Sequence, residues 1–203
     1  MNILLVTSSP RGDASHSKSI ANQLVEKFKS NEADVSVTIR DLSANPISHI
    51  DTRFVQAAYT PAADQTDETR ATLKLSDELI DELFAADVLV IATGMINFGV
   101  SSLLKAWIDH VIRAGKTFTY SENGPTPLVL GKKAYIIASS GAIYSNGPMS
   151  VNNFQAPYLE AVFRFVGITE IETITLEGIS YGPEALENAL KGATERVEAL
   201  VTA

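Results

Sequence analysis

The chain has no cysteine among its 203 residues. Disulfides, thiolate metal ligands and thiol nucleophiles are thereby excluded. Histidine is scarce: His16, His49 and His110 are the three present, too widely spaced for a metal-ligand pattern. Basic charge is in deficit, with 16 Lys and Arg against 24 Asp and Glu and a formal net charge of −8. That balance does not support a basic surface for nucleic acid. No apolar run approaches the roughly 20 residues that cross a bilayer. The first residues enter an apolar run directly, without the charged n-region of a signal peptide. The expectation is a cytoplasmic protein with no metal, nucleic-acid or membrane partner. Two nucleotide motifs are also missing. There is no G-x-x-x-x-G-K-[ST] loop and no G-x-G-x-x-G after the first apolar run, so P-loop hydrolysis and a Rossmann-bound dinucleotide lose ground.

What is present begins with Asn2 to Thr7, a short apolar run that reads as a buried parallel strand. A loop of small, hydroxyl and turn-forming residues, Ser8 to Ser17, follows it. Ile20, Leu24, Val25 and Phe28 then fall on one face of a helix. Strand, hydroxyl-rich loop and helix together point free N–H groups at an anion. Here that anion is a phosphate monoester held by Ser9, Ser15, Ser17 and amide donors, or else the loop is ordinary and Ser17 caps the helix.

Four more strands are predicted, over residues 34–39, 87–93, 133–139 and 170–176, each separated from the next by helical pattern. The second alternates apolar and polar residues, as an edge strand does. A long connection from Arg40 to Thr66, broken by Pro46 and Pro61, suits a lid or a subunit contact. Leu75, Leu79, Ile80, Leu83 and Phe84 form an apolar helical stripe read as core. Ser101 or Ser102 caps a helix ending near Gly115, and Thr117 to Pro125 is an excursion outside the sheet. Pro157 opens a helix ended by Gly167. Pro183 opens the last, with Leu186, Leu190, Val197, Leu200 and Val201 on one side.

This pattern predicts one α/β domain over residues 1–203, a doubly wound five-stranded parallel sheet, taken in the order 2-1-3-4-5, with helices on both faces. Ligands in such sheets bind beyond the carboxyl ends of the strands. The exit loops of strands one, three and four, Ser9–Ser17, Gly94–Gly99 and Ser139–Ala142, would then form one rim. A hydroxyl-rich first loop suits a compact phosphate such as that of FMN, whose charge is about −1.5 to −2 near neutral pH. Arg11 either adds a charged contact or is an exposed loop cation. Met95 and Phe98 offer apolar contact to a flat ring, Asn97 both donates and accepts, and Ser139 to Ala142 offer hydrogen bonds to its polar edge. Seen singly, each also reads as turn or core.

The sequence resembles the FMN-dependent NADH-azoreductases, or FMN-dependent NADH:quinone oxidoreductases, over essentially its whole length. The resemblance is carried by Ser8-Ser9 with Ser15 and Ser17, Arg40-Asp41-Leu42 with Asn45-Pro46, Leu75 to Leu79, and Met95-Ile96-Asn97-Phe98. It continues through Arg113-Ala114-Gly115 with Thr117-Phe118, Tyr120 with Glu122 to Pro125, Gly131 to Lys133, Glu177 to Ile179 and Tyr181 to Glu184. It implies a flavodoxin-like fold, noncovalent FMN and a homodimer with active sites near the subunit interface. The implied cofactor contacts are Ser9, Ser15, His16, Ser17, Met95, Ile96, Asn97, Phe98, Ser139, Ser140, Gly141 and Ala142. Three positions depart from the family pattern: Ile96 stands where an aromatic is usual, Gly94 where proline is usual, and Ala142 where a second glycine is common.

The implied reaction is ping-pong hydride transfer from NADH (or NADPH) through FMN to a quinone or an azo compound. The flavin carries the chemistry, so no catalytic side chain is assigned. Tyr120 and Phe163 are candidates for the acceptor pocket, Phe163 also reading as core. Two rivals are weighed. A flavodoxin-type electron carrier would bind FMN and serve protein partners. A receiver-type signalling domain needs a carboxylate cluster at strand ends that read Thr7-Ser8-Ser9 and Ala92-Thr93-Gly94.

Overall fold

A computed structural model describes residues 1–200. Five parallel strands, β1 (Asn2–Thr7), β2 (Ser36–Asp41), β3 (Val88–Gly94), β6 (Lys133–Ser139) and β7 (Glu170–Leu176), form one sheet in the order β2-β1-β3-β6-β7. The hairpin β4 (Phe118–Ser121) and β5 (Gly124–Pro127) stands apart as a two-stranded antiparallel unit. Helices lie on both sides of the five-stranded sheet.

The two-residue period of the strands divides the core. Leu4 and Val6 of β1, Leu89 and Ile91 of β3, and Ala134 and Ile136 of β6 face one side. They pack there against α3 (Asp67–Ala85), α4 (Ser102–Val111) and α5 (Ala156–Val166). Ile3 and Leu5, Val88 and Val90, and Tyr135 and Ile137 face the other, against α1 (His16–Asn31) and α6 (Pro183–Leu200). Both faces of the central strands are covered, which is why these segments read as unbroken apolar runs rather than alternating ones.

Several expectations need correction. The second strand is shifted from residues 34–39 to Ser36–Asp41, because pairing with β1 from Asn2↔Ser36 to Thr7↔Asp41 fixes its extent. The connection after it contains a short helix, α2 (Thr52–Tyr59), capped by Asp51, whose carboxylate accepts from the Phe54 amide. Phe84 leaves the apolar stripe and is 41% exposed, whereas Leu79, Ile80 and Leu83 are buried. The helix after the third strand ends at Val111, four residues before Gly115. Val201, read on the apolar side of α6, lies outside the described residues. No described helix is long and apolar enough to cross a membrane.

Candidate functional site

In this sheet β1 lies between β2 and β3, and β3 between β1 and β6, so the exit loops of β1, β3 and β6 are neighbours. Each is fixed by its own local chemistry.

The first loop is pinned at Ser9, whose hydroxyl accepts from the Arg11 amide at 3.3 Å and whose carbonyl accepts from the Ser43 hydroxyl at 2.6 Å. Gly12 takes φ 55°, the left-handed region a side chain disfavours, and starts a single 3₁₀ turn. Ser15, not Ser17, caps α1: its extended backbone and its hydroxyl, which accepts from the Lys18 amide at 3.2 Å, are those of an N-cap. Ser17 is buried in the first helical turn with its hydroxyl 3.2 Å from that of Ser15. The Lys18 ammonium lies 3.1 Å from both Asp13 and Asp41, and these bonds raise its pKa. Burial pushes the Asp41 carboxyl upward. The Ala44 amide, Lys18 and the Ser43 amide outweigh that and hold it below its usual range. Ser15→Ala is expected to lower stability by about 1 kcal/mol through loss of the cap alone, measured by denaturant titration without ligand.

The second loop is a tight turn in which Ile96 and Gly99 exchange both backbone hydrogen bonds at 3.0 Å. Its two central residues, Asn97 (φ 47°) and Phe98 (φ 71°), both have positive φ. Asparagine tolerates this region; phenylalanine adopts it only where the surroundings insist. Here the Phe98 carbonyl accepts from the Phe154 amide at 3.0 Å and its ring meets Tyr144 edge-on at 6.2 Å. Gly94, at the departure from the family pattern, needs no glycine: a Cβ there would sit 3.4 Å from the Ser139 hydroxyl, in ordinary contact.

The third loop is stitched to the segment after β7. The amides of Gly178, Ile179 and Ser180 donate to the carbonyls of Ala142, Ser140 and Gly141 at 3.1, 3.3 and 3.0 Å. A Cβ at Gly141 would lie 2.8 Å from the Ser180 hydroxyl, which would have to turn away to admit it. Beneath all three loops runs a chain of buried hydroxyls. Ser101, the cap of α4, donates to the Ser8 carbonyl at 3.4 Å. Ser8 donates to the Thr93 hydroxyl at 3.0 Å, and Ser139 to the Thr93 carbonyl at 3.4 Å.

The loops enclose a cleft of about 320 Å³. Ser9, Ser15, His16, Met95, Ile96, Ser139, Ser140 and Gly141 line it, together with Arg11 and Gly94. One end is hydroxyl-rich; Met95 and Ile96 make an apolar wall. Ser17, Asn97, Phe98 and Ala142 are not brought into the lining. Asn97 instead borders an adjoining open depression with Ile96, Phe154 and Tyr158. Pro10, Ile179 and Ser180 also line the cleft and were missed by sequence reasoning. The last two follow β7 between two glycines, Gly178 and Gly182, at a strand's carboxyl end, which was the available signal. Tyr120 is 70% exposed on the outer hairpin against Phe118, away from the cleft lining. Phe163 is 1% exposed within the core, so in this chain it lines no pocket wall; Phe165, on the outer side of α5, is the exposed ring.

The whole architecture matches a known family. The model of the flavodoxin-like fold family matches residues 1–201. An FMN-dependent NADH:quinone oxidoreductase of Rhizobium etli is 52% identical over 202 residues, covering 100% of this chain and 98% of its own. One from Mesorhizobium japonicum is 47% identical, covering 99% and 96%. Among solved structures, an FMN-dependent NADH-azoreductase from Bacillus anthracis in complex with FMN aligns with TM-score 0.87 and 25% identity, covering 98% of this chain and 99% of its own. Extensive identity across both full lengths, on one shared fold, establishes that the chain belongs to the family of FMN-dependent NADH:quinone oxidoreductases.

Proposed function

We propose that this chain is an FMN-dependent oxidoreductase that moves hydride from NADH to quinones and aromatic azo compounds in two alternating half-reactions. The observation that carries this is the cleft: three exit loops of neighbouring strands meet in one hollow with a hydroxyl-rich end and an apolar wall. Whole-length relatives that bear the name FMN-dependent NADH:quinone oxidoreductase support the reading.

The residues present fit the cofactor. A phosphate needs several donors and no nearby carboxylate. Ser9, Ser15 and the amides of His16 and Ser17, which lack intrahelical acceptors in the first turn, supply the donors. Arg11 adds positive charge, and the carboxylates of Asp13 and Asp41 are engaged by Lys18. Met95 and Ile96 exclude water from one side of a flat ring. Ser139 and Ser140 offer hydroxyls to its polar edge, and Gly141 leaves room for close approach. Asn97, Phe98 and Ala142 act from the rim, through the turn and the stitched loop they shape. Bound FMN supplies the two-electron transfer itself, so the protein's work is binding, orientation and shielding. No acid, base or nucleophile of the chain is assigned a catalytic role.

The test is direct. Purified protein is expected to be yellow with flavin absorbance and to oxidise NADH when a quinone is supplied. Absence of turnover with FMN bound would leave only an electron carrier. Ser15→Ala is expected to weaken FMN binding by about 1–3 kcal/mol, the worth of hydrogen bonds to a charged group. Equal affinity in a fluorescence titration would mean the phosphate lies elsewhere.

We read the chain as one domain, cytoplasmic and dimeric. A hollow of about 250 Å³ lies on the outer face, lined by Ile50, Phe54, Val55, Ala58, Tyr59 and Phe118 and also by Asp109 and Arg113, with Val55 and Tyr59 43% and 76% exposed. A second copy of the chain suits this exposed apolar patch with charges beside it. Sedimentation is expected at twice 21.8 kDa; a monomer at all micromolar concentrations would overturn the assignment.

A further inference from the structure

We infer that His16 is a phosphate ligand that takes up a proton as the phosphate enters, so that this protein holds FMN more tightly as pH falls. The inference rests on the reading of the cleft as an FMN site.

His16 is the first residue of α1 and lines the cleft beside Ser9, Arg11 and Ser15. Its ring is partly buried and forms no hydrogen bond to another described residue. An imidazole with both nitrogens uncommitted, at the hydroxyl-rich end of a cleft, is available to a ligand. The charges around it are few. Lys18 is occupied by Asp13 and Asp41, and Asp13 points into solvent. The facing walls, Gly94 to Ile96, Ser139 to Gly141 and Ile179 to Ser180, carry no ionisable side chain. Arg11 is therefore the one formal cation lining the cleft. A phosphate monoester brings about −1.5 to −2 charges near neutral pH, more than Arg11 alone balances.

The sign of the coupling follows. Without ligand, burial and then the Arg11 guanidinium hold the His16 ring below the usual imidazole range, so it is neutral near pH 7. A dianion beside it favours the charged form and moves its titration upward. The complex then binds more protons than the free protein, and linkage requires affinity to rise as pH falls. The window is set by the phosphate itself, whose second ionisation lies near pH 6. From about pH 8 to about pH 6.5 the ring takes the proton; lower down the ring and phosphate titrate as one system.

The experiment is a set of fluorescence titrations from about pH 8 to about pH 6.5, with FMN and with riboflavin, on wild type and His16→Gln. Wild type is expected to show an FMN dissociation constant that falls by about threefold or more across the window, with a ceiling of about tenfold per pH unit for one proton. His16→Gln is expected to lose most of that slope, and riboflavin, which lacks the phosphate, to show none. A second readout uses wild type alone: NMR titration of the three histidines is expected to show one resonance moving to a higher pH of titration when inorganic phosphate or FMN is added, and staying in place with riboflavin. Equal slopes in wild type and variant, or an unmoved resonance, would overturn the role of His16 while leaving the cofactor reading standing. Failure of FMN to bind at any pH would overturn both.

Discussion

Gly167→Ala is expected to lower the unfolding free energy by about 2–5 kcal/mol, read as a fall in the urea midpoint. Gly167 closes α5 at φ 112°, with its amide donating to the carbonyls of Phe163 and Arg164 at 3.2 and 3.1 Å. A left-handed backbone costs an L side chain roughly 1–2 kcal/mol. The site also has no room. A Cβ would lie 2.9 Å from the Val129 carbonyl oxygen, 2.8 Å from Leu130 and 3.0 Å from Pro127. The Val129 contact is to backbone, and Val129 is fully buried with its amide bonded to the Val166 carbonyl at 2.9 Å, so it cannot recede. Overpacking of this kind adds about 1–3 kcal/mol. A midpoint within experimental error of wild type would show that the junction of α5 with the strand behind it is looser than this geometry states.

Phe163→Ala is the second large effect, and it separates two roles for one residue. Phe163 is 1% exposed in the cluster that includes Leu159, Val166 and Trp107. Deleting a buried phenylalanine ring costs about 3–5 kcal/mol, the transfer term plus the cavity left behind. A folded sample below its melting point is expected to keep the wild-type KM for a quinone, because the ring reaches no part of the cleft. A raised KM with unchanged stability would return Phe163 to the acceptor pocket.

The sheet was legible because its central strands are covered on both faces and so spell unbroken apolar runs. The three-loop rim was legible because strand ends in such sheets share an edge, and Ser9, Ser15, His16, Met95, Ile96, Ser139, Ser140 and Gly141 do meet in one cleft. Other features depended on phase. Ser15 and Ser17 are both good caps, and the choice is made by where the chain turns from extended to helical, which composition does not state. Phe84 differs from its buried neighbours by a fraction of a helical turn, too fine for an apolar stripe to resolve, whereas the core reading of Phe163 agrees with its burial. Ile179 and Ser180 were missed because what brings them to the cleft is the bonding of their amides to the Ser140 and Gly141 carbonyls, which no side chain announces. Asn97 and Phe98 carry the right chemistry for a ring, and their turn sets Asn97 at the adjoining depression and the Phe98 ring against Tyr144.

The buried hydroxyls of Ser101, Ser8, Thr93 and Ser139 tie the start of α4 to the roots of β1, β3 and β6. Walls hung from a common thread cannot drift independently. The cradle is thus shaped before anything enters it, and a host already in shape takes less of a guest's binding energy for ordering. By the same thread, a disturbance at Ser101, which does not itself line the cleft, reaches the tips of three strands at once.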